Sequence, residues 1–174
     1  MSESKESRSA GEVFAELYEE YLDRVFRYIH FRVNNMQVTE DLTSVVFEKA
    51  LLNFGRYSSD KARFSTWIFS IARNVVIDYY RVNIKKQAIP SEALAETPSD
   101  DLTPEEEIEQ GEEVKKLQDC LKQLLWDEQE IVRLKFWAEL NNRQIAKMLG
   151  ISETNVGTKL YRAVKKLRGC VQGT

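Results

Sequence analysis

Cysteine and histidine are scarce in this chain of 174 residues, which has two cysteines, Cys120 and Cys170, and one histidine, His30. No CxxC or HxxxH spacing can be built from them, so a metal site of the usual nitrogen and sulfur kind is excluded. No metal or cofactor is expected. His30 is expected to pack on or edge a helix. The cysteines are expected to be reduced, one packed near Leu121 and one in a fraying tail. No apolar run approaches the roughly 18 residues needed to cross a bilayer, and no positively charged apolar leader opens the chain. A cytoplasmic protein is the expectation. Strand-like alternation persists nowhere, which points to an all-α chain.

Proline is also rare, with three in all, and every one lies between residues 88 and 104. Basic residues are missing from 88–113 altogether, while ten acidic ones lie there. Residues 1–87 carry a net +1, residues 88–113 carry −10, and residues 114–174 carry +6, so the overall −3 hides a basic C-terminal module. Charge per segment bears on partners, and the total misleads. Residues 1–10 are small and polar and are expected to be disordered. Residues 88–104 show no period and read as a linker between two small helical domains, spanning 11–87 and 105–174. The acidic middle is most simply a solvated linker and helix start.

Positive features begin at the C-terminal end. NRQIAKMLGISETNVGTKLYRAVKKLR, from Asn142 to Arg168, predicts two short helices around a turn. Ile145, Ala146 and Leu149 share a face, Gly150 suits a left-handed helix stop, and Ser152 suits an N-cap. Val156, Leu160, Val164 and Leu167 carry the second helix. Opposite them lie Asn155, Thr158, Lys159, Arg162, Lys165 and Lys166, with no acid after Glu153. A basic amphipathic surface helix is a sufficient account of the charges alone; the turn adds the geometry of a helix-turn-helix, whose second helix reads the major groove. Ser152, Glu153, Thr154, Asn155, Thr158 and Lys159 are candidates for the groove. Arg162, Lys165 and Lys166 are better suited to phosphate, and Arg143 is a further candidate for DNA contact.

In the first domain, Phe14, Leu17, Tyr18, Tyr21, Leu22, Val25, Phe26 and Ile29 recur at three and four and predict a helix from Gly11 to about Arg32. After a break at Asn34-Asn35, Thr39 is the expected cap of a second helix carrying Leu42, Val46, Phe47, Ala50, Leu51 and Phe54 inward. Ser65 opens a third, with Ile68, Ile71, Ala72, Val75, Val76 and Tyr79 as its buried row. In the second domain, Thr103, Pro104 and Glu106 form a strong helix start, and a further helix is expected near Asp127.

Between Asn53 and Arg81, aromatic residues (Phe54, Tyr57, Phe64, Trp67, Tyr79, Tyr80) interleave with basic ones (Arg56, Lys61, Arg63, Arg73, Arg81). Cations suit backbone phosphates, and an unstacked base gains about 1–3 kcal/mol on an aromatic face. Core packing of Phe64, Trp67 and Phe69 is the competing account. Asn74 lies off the apolar row, with a donor and an acceptor for the edge of a flipped base.

EDLTSVVFEKAL, then RFSTWIFSIARNVVIDYYR, a linker, and RQIAKMLGISETNVGTKLYRAVKKLR together resemble bacterial RNA polymerase sigma factors of the extracytoplasmic-function (ECF) group, over about residues 11–169. The resemblance implies a non-enzymatic initiation factor that binds core RNA polymerase, promoter duplex and melted strand. It implies core polymerase contacts from Asp41, Leu42, Val45, Phe47, Glu48 and Leu52, Val45 lying off the core row and pointing outward. It implies minus-ten recognition by Arg56, Tyr57, Ser58, Lys61, Arg63, Phe64, Trp67, Arg73, Asn74 and Arg81, with Ser58 to Arg63 and Asn74 around an extruded base. It places the helix from Ser152 at the minus-thirty-five element, implies a separate anti-sigma partner because no large inhibitory region precedes residue 11, and suggests that the acidic linker mimics nucleic acid in the polymerase. Ser44 and Val45 depart from the family's amide and carboxylate pair. Gly157 departs from a larger residue, allowing close DNA approach or merely weakening the helix. Two alternatives remain: a stand-alone helix-turn-helix regulator whose first domain senses a ligand or dimerises, and a helical hydrolase using Glu40, Asp41 and Glu48.

Overall fold

The computed structural model describes residues 9–86 and 112–173. The expected linker, the acidic middle, the Thr103 helix start and all but the end of the N-terminal tail lie outside the described residues. Seven α-helices and one 3-10 turn make up the described residues, which include no strand: α1 (Ala10–Val33), α2 (Met36–Asn53), the turn Phe54–Arg56, α3 (Phe64–Lys86), α4 (Glu112–Lys122), α5 (Trp126–Phe136), α6 (Asn142–Leu149) and α7 (Glu153–Gln172).

Helix α1 starts with a reciprocal cap: Ser9 Oγ accepts from Glu12 N at 3.2 Å, while Glu12 accepts from Ser9 N at 2.8 Å. It ends at Asn34, which adopts the left-handed conformation (φ 48°). Asn35 then caps α2 by accepting from Val38 N at 2.9 Å. Thr39 was expected in that role, but it is fully buried within the helix and donates its hydroxyl to the Asn35 carbonyl at 2.7 Å. An asparagine already at the break satisfies an orphan amide of the first turn from a position four residues before the threonine. α1, α2 and α3 bury Val25, Tyr28, Ile29, Val46, Ala50, Ile68, Phe69, Ala72 and Val76 together. Each large apolar side chain among these contributes roughly 1.5–3 kcal/mol. Leu51, assigned to the inward face, is instead exposed on α2.

In the second half, α4 and α5 pack on α7, with Leu121, Leu124, Val132 and Ala163 at the centre. Cys120 and Cys170 form a disulfide, contrary to the expectation that they are reduced. Packing of α4 against the end of α7 brings their Cα atoms to 5.8 Å, inside the range a disulfide spans. A contact between residues so far apart in the chain leaves no trace in local periodicity.

The halves are not separate. Ile131, Leu134, Ala138, Leu140, Ile145, Ala146 and Val156 belong to the same buried cluster as the core of the first three helices. Gln118 donates to Asn34 Oδ1 at 2.9 Å, Phe31 lies 4.5 Å from Trp137 between ring centroids, and Arg24 reaches the Ala138 carbonyl.

Candidate nucleic-acid interface

Two stripes face each other across the groove between α2 and α3. Lys49, Asn53 and Arg56 line one wall, Trp67, Ile71, Asn74 and Asp78 the other, around a cavity of ≈ 420 Å³. Spacings of four and three on the first stripe, and of four, three and four on the second, are those of one helix face. Trp67 is half-buried, held by Tyr57 at 5.0 Å and Phe64 at 5.5 Å between ring centroids. It offers a ring face, Asn53 and Asn74 offer amides, and Lys49 and Arg56 offer cations. Such a cup suits a planar heteroaromatic ring with a phosphate beside it.

Of the residues nominated for the melted strand, Arg56, Trp67 and Asn74 meet in this cavity. Arg81 is exposed and pairs with the cavity residue Asp78 at 3.3 Å. Phe64 is buried, edge-on to Tyr21 at 5.1 Å, and belongs to the core. Tyr57 is half-buried and stacks on Phe54. Ser58 closes the loop, its carbonyl accepting from Lys61 N and Ala62 N at 3.1 and 3.3 Å. Lys61 and Arg63 are exposed but do not line the cavity. Arg73 turns toward Glu130 of α5. Lys49, Asn53 and Asp78 were missed by sequence reasoning. Their spacing to Arg56 and to Asn74 was the available signal, but it becomes a pocket through the packing of α2 on α3.

The helix-turn-helix forms as its caps dictate. Asn141 and Gln144 cap α6 reciprocally, each bond 2.9 Å, and Gly150 stops it at φ 69°. Ser152 Oγ then accepts from Asn155 N at 3.2 Å to start α7. Arg143, Ser152, Glu153, Thr154, Asn155, Thr158, Arg162 and Lys165 are all exposed. The basic face divides into two rows. Asn155, Thr158, Arg162 and Lys165 form one row at helical spacing. Lys159 and Lys166, two turns apart, lean onto the start of α5, where Asp127 engages Lys159 and Glu128 takes Lys166 at 2.8 Å. Burial would push the Glu128 carboxyl up, but hydrogen bonds from Lys166 and from Leu125 N outweigh it and hold the group below its ordinary value. Gly157 has no close neighbour: a Cβ there would lie 3.8 Å from Asn142 Nδ2, in ordinary contact.

On α2, Asp41, Glu48 and Leu52 are exposed, Leu52 at 76%. Leu42 and Val45 are half-buried against the core, so Val45 does not point outward as expected. Phe47 is buried, edge-on to Tyr18 at 4.7 Å, and supports the helix from beneath. Leu51 and Leu52 form an outward apolar pair near the end of α2.

The half that carries the cavity and the half that carries the helix-turn-helix each match a family model, in the same order. Sigma-70 region 2 matches residues 17–84, and Sigma-70, region 4 matches residues 115–167. This chain is a sigma factor of the ECF group. It is 32% identical to the ECF RNA polymerase sigma factor BldN of Streptomyces coelicolor over 169 residues, covering 96% of this chain and 64% of BldN. The chain thus spans a little under two thirds of that relative's length. To the ECF RNA polymerase sigma factor SigX of Bacillus subtilis it is 29% identical over 164 residues, 90% of this chain and 82% of SigX. The fold matches that of the sigma factor RpoE of Bartonella quintana, solved with the anti-sigma factor NepR, at a TM-score of 0.72 and 16% identity, covering 92% and 98% of the two chains. Region 2 followed by region 4 is the architecture of a transcription initiation factor, a family that works by binding rather than by catalysis. Among the described residues, no helix of the sigma factor is long and apolar enough to cross a membrane.

Proposed function

We propose that this sigma factor docks on core RNA polymerase in the cytoplasm, reads the minus-thirty-five duplex with α7, and holds a base of the melted minus-ten strand in the α2–α3 cavity. The observation that carries the reading is the meeting of Trp67, Asn74, Lys49 and Arg56 around one cavity. A base leaving the stack stacks on Trp67, presents its edge to Asn74, and keeps its phosphate near the two cations. Asn155, Thr158, Arg162 and Lys165, the outward row of α7, address the groove and its phosphates. Asp41, Glu48 and Leu52, joined by Leu51, form the polymerase-facing surface of α2. RpoE was solved in complex with an anti-sigma factor, and a separate partner of that kind restrains this chain.

Run-off transcription with core polymerase on fragmented genomic DNA tests the whole reading. Start sites that depend on this chain are expected, and their absence overturns it. Asn74→Ala tests the cavity. It is expected to reduce promoter opening, followed by permanganate reactivity of unpaired thymines, more than it reduces duplex binding. Equal losses would remove Asn74 from the pocket role.

A further inference from the structure

Glu130 belongs to α5 in the second half, yet its carboxylate is fully buried against the first. One oxygen accepts from the Tyr28 hydroxyl at 2.8 Å, and the other pairs with Arg32. Arg73 Nε lies 3.4 Å from Glu130 Oε1, buried and without a hydrogen bond. Arg133 brings a third guanidinium, donating to the Phe31 carbonyl at 3.2 Å and to Gln129 at 2.9 Å. The Trp126 ring lies over Arg32 and Arg73, at 5.1 and 5.9 Å from its centroid. The seam therefore gathers three guanidinium groups about the Tyr28 hydroxyl, two of them paired with the Glu130 carboxylate. Burial, with Arg32 alongside, pulls the Arg133 guanidinium down to about 10. Like charges taken out of water this way are tolerated while an anion joins them and become costly without it.

We infer that Glu130 is an intramolecular latch: an anion from the second half that closes the molecule and occupies Arg73, the neighbour of cavity residue Asn74, until the halves part. The inference rests on reading the α2–α3 cavity as the strand site. Further along the seam, Gln144 Nε2 donates to Ser65 and Thr66 hydroxyls at 3.1 Å, and Lys147 donates to the Lys61 carbonyl at 3.2 Å. The helix-turn-helix is thereby seated on the loop and helix start that precede the cavity. Parting the halves exposes Arg32, Arg73 and Arg133 to water and releases Arg73 for a phosphate. Strand affinity is then scaled down in proportion to the small fraction of molecules that are open.

The test is Glu130→Gln in the full chain. Small-angle X-ray scattering is expected to show a larger radius of gyration than the wild type. Fluorescence anisotropy with a labelled mixed-sequence single-stranded DNA oligonucleotide is expected to show binding tighter by about tenfold, the closed-state penalty being removed. Adding Arg73→Gln to Glu130→Gln is expected to keep the expansion and cancel the gain in binding. An unchanged radius overturns the latch, and expansion without tighter binding overturns the competition for Arg73. If Glu130→Gln loses its helical circular dichroism, Tyr28→Phe decides. It removes one hydrogen bond to the carboxylate without altering charge, so a smaller expansion supports the latch and none overturns it. Failure of the functional reading is seen separately, as absence of sigma-dependent starts in run-off transcription.

Discussion

The two halves bury themselves by different means. The first half builds an aromatic interior, with Tyr28 edge-on to Phe69 at 5.6 Å and Phe14 edge-on to Phe54 at 5.1 Å, and no covalent link. The second centres on four small or medium side chains, adds a disulfide, and completes its interior by sharing Ile131, Leu134 and Val156 with the first half. A region of its size is marginal when its apolar surface stands alone. One half thus holds its shape with side chains, while the other relies on a crosslink and a neighbour.

Two large effects would break that contrast. Phe69→Ala, in the first half, is expected to cost about 3–5 kcal/mol in denaturant unfolding. Reduction of Cys120–Cys170, or Cys120→Ser with Cys170→Ser, is expected to cost up to about 4 kcal/mol, from the chain entropy regained by a loop of 50 residues. It should appear in calorimetry as earlier melting of the second half. If reduction leaves the melting profile unchanged, docking on the first half rather than the crosslink holds the second together.

Smaller effects sharpen it. Gly157→Ala is expected to stabilise α7 by about 1 kcal/mol in thermal melts, because the added Cβ meets only ordinary contact. A loss would mean that the backbone there needs a glycine. The smallest effect is acid sensitivity where the start of α5 meets Lys166 of α7. Glu128 titrates below its ordinary value when folded, so its contribution is fully present above the unfolded carboxylate pKa and is lost as pH falls through the folded one. Glu128→Gln should flatten the acid limb of the stability curve, and an unaltered limb would place the titrating group elsewhere.

Much of this was legible in the sequence because it depends on near neighbours in the chain. Ser152 and Gly150 announced the turn between α6 and α7, and apolar spacing announced α1, α2 and α3. What escaped depends on distant neighbours. Thr39 looked like a cap until Asn35 took the role, and Phe47 looked like a contact residue until Tyr18 covered it. Lys159 and Lys166 looked like part of one DNA-facing side with Arg162, although their row of the helix faces Asp127 and Glu128. The disulfide and the Glu130 seam join residues that share no local pattern, so periodicity carries no record of them. The cavity lies between these cases, with both stripes readable and their facing set by packing.

The corner at Asn34 joins these scales in one side chain. Its left-handed backbone turns α1 into α2, and its amide oxygen accepts from Gln118 of the second half. Glycine would keep the bend and lose the acceptor; most other residues would strain the bend. Substitution there offers a rheostat: the grip between the halves can be loosened at a residue that lines neither the α2–α3 cavity nor the exposed basic row of α7.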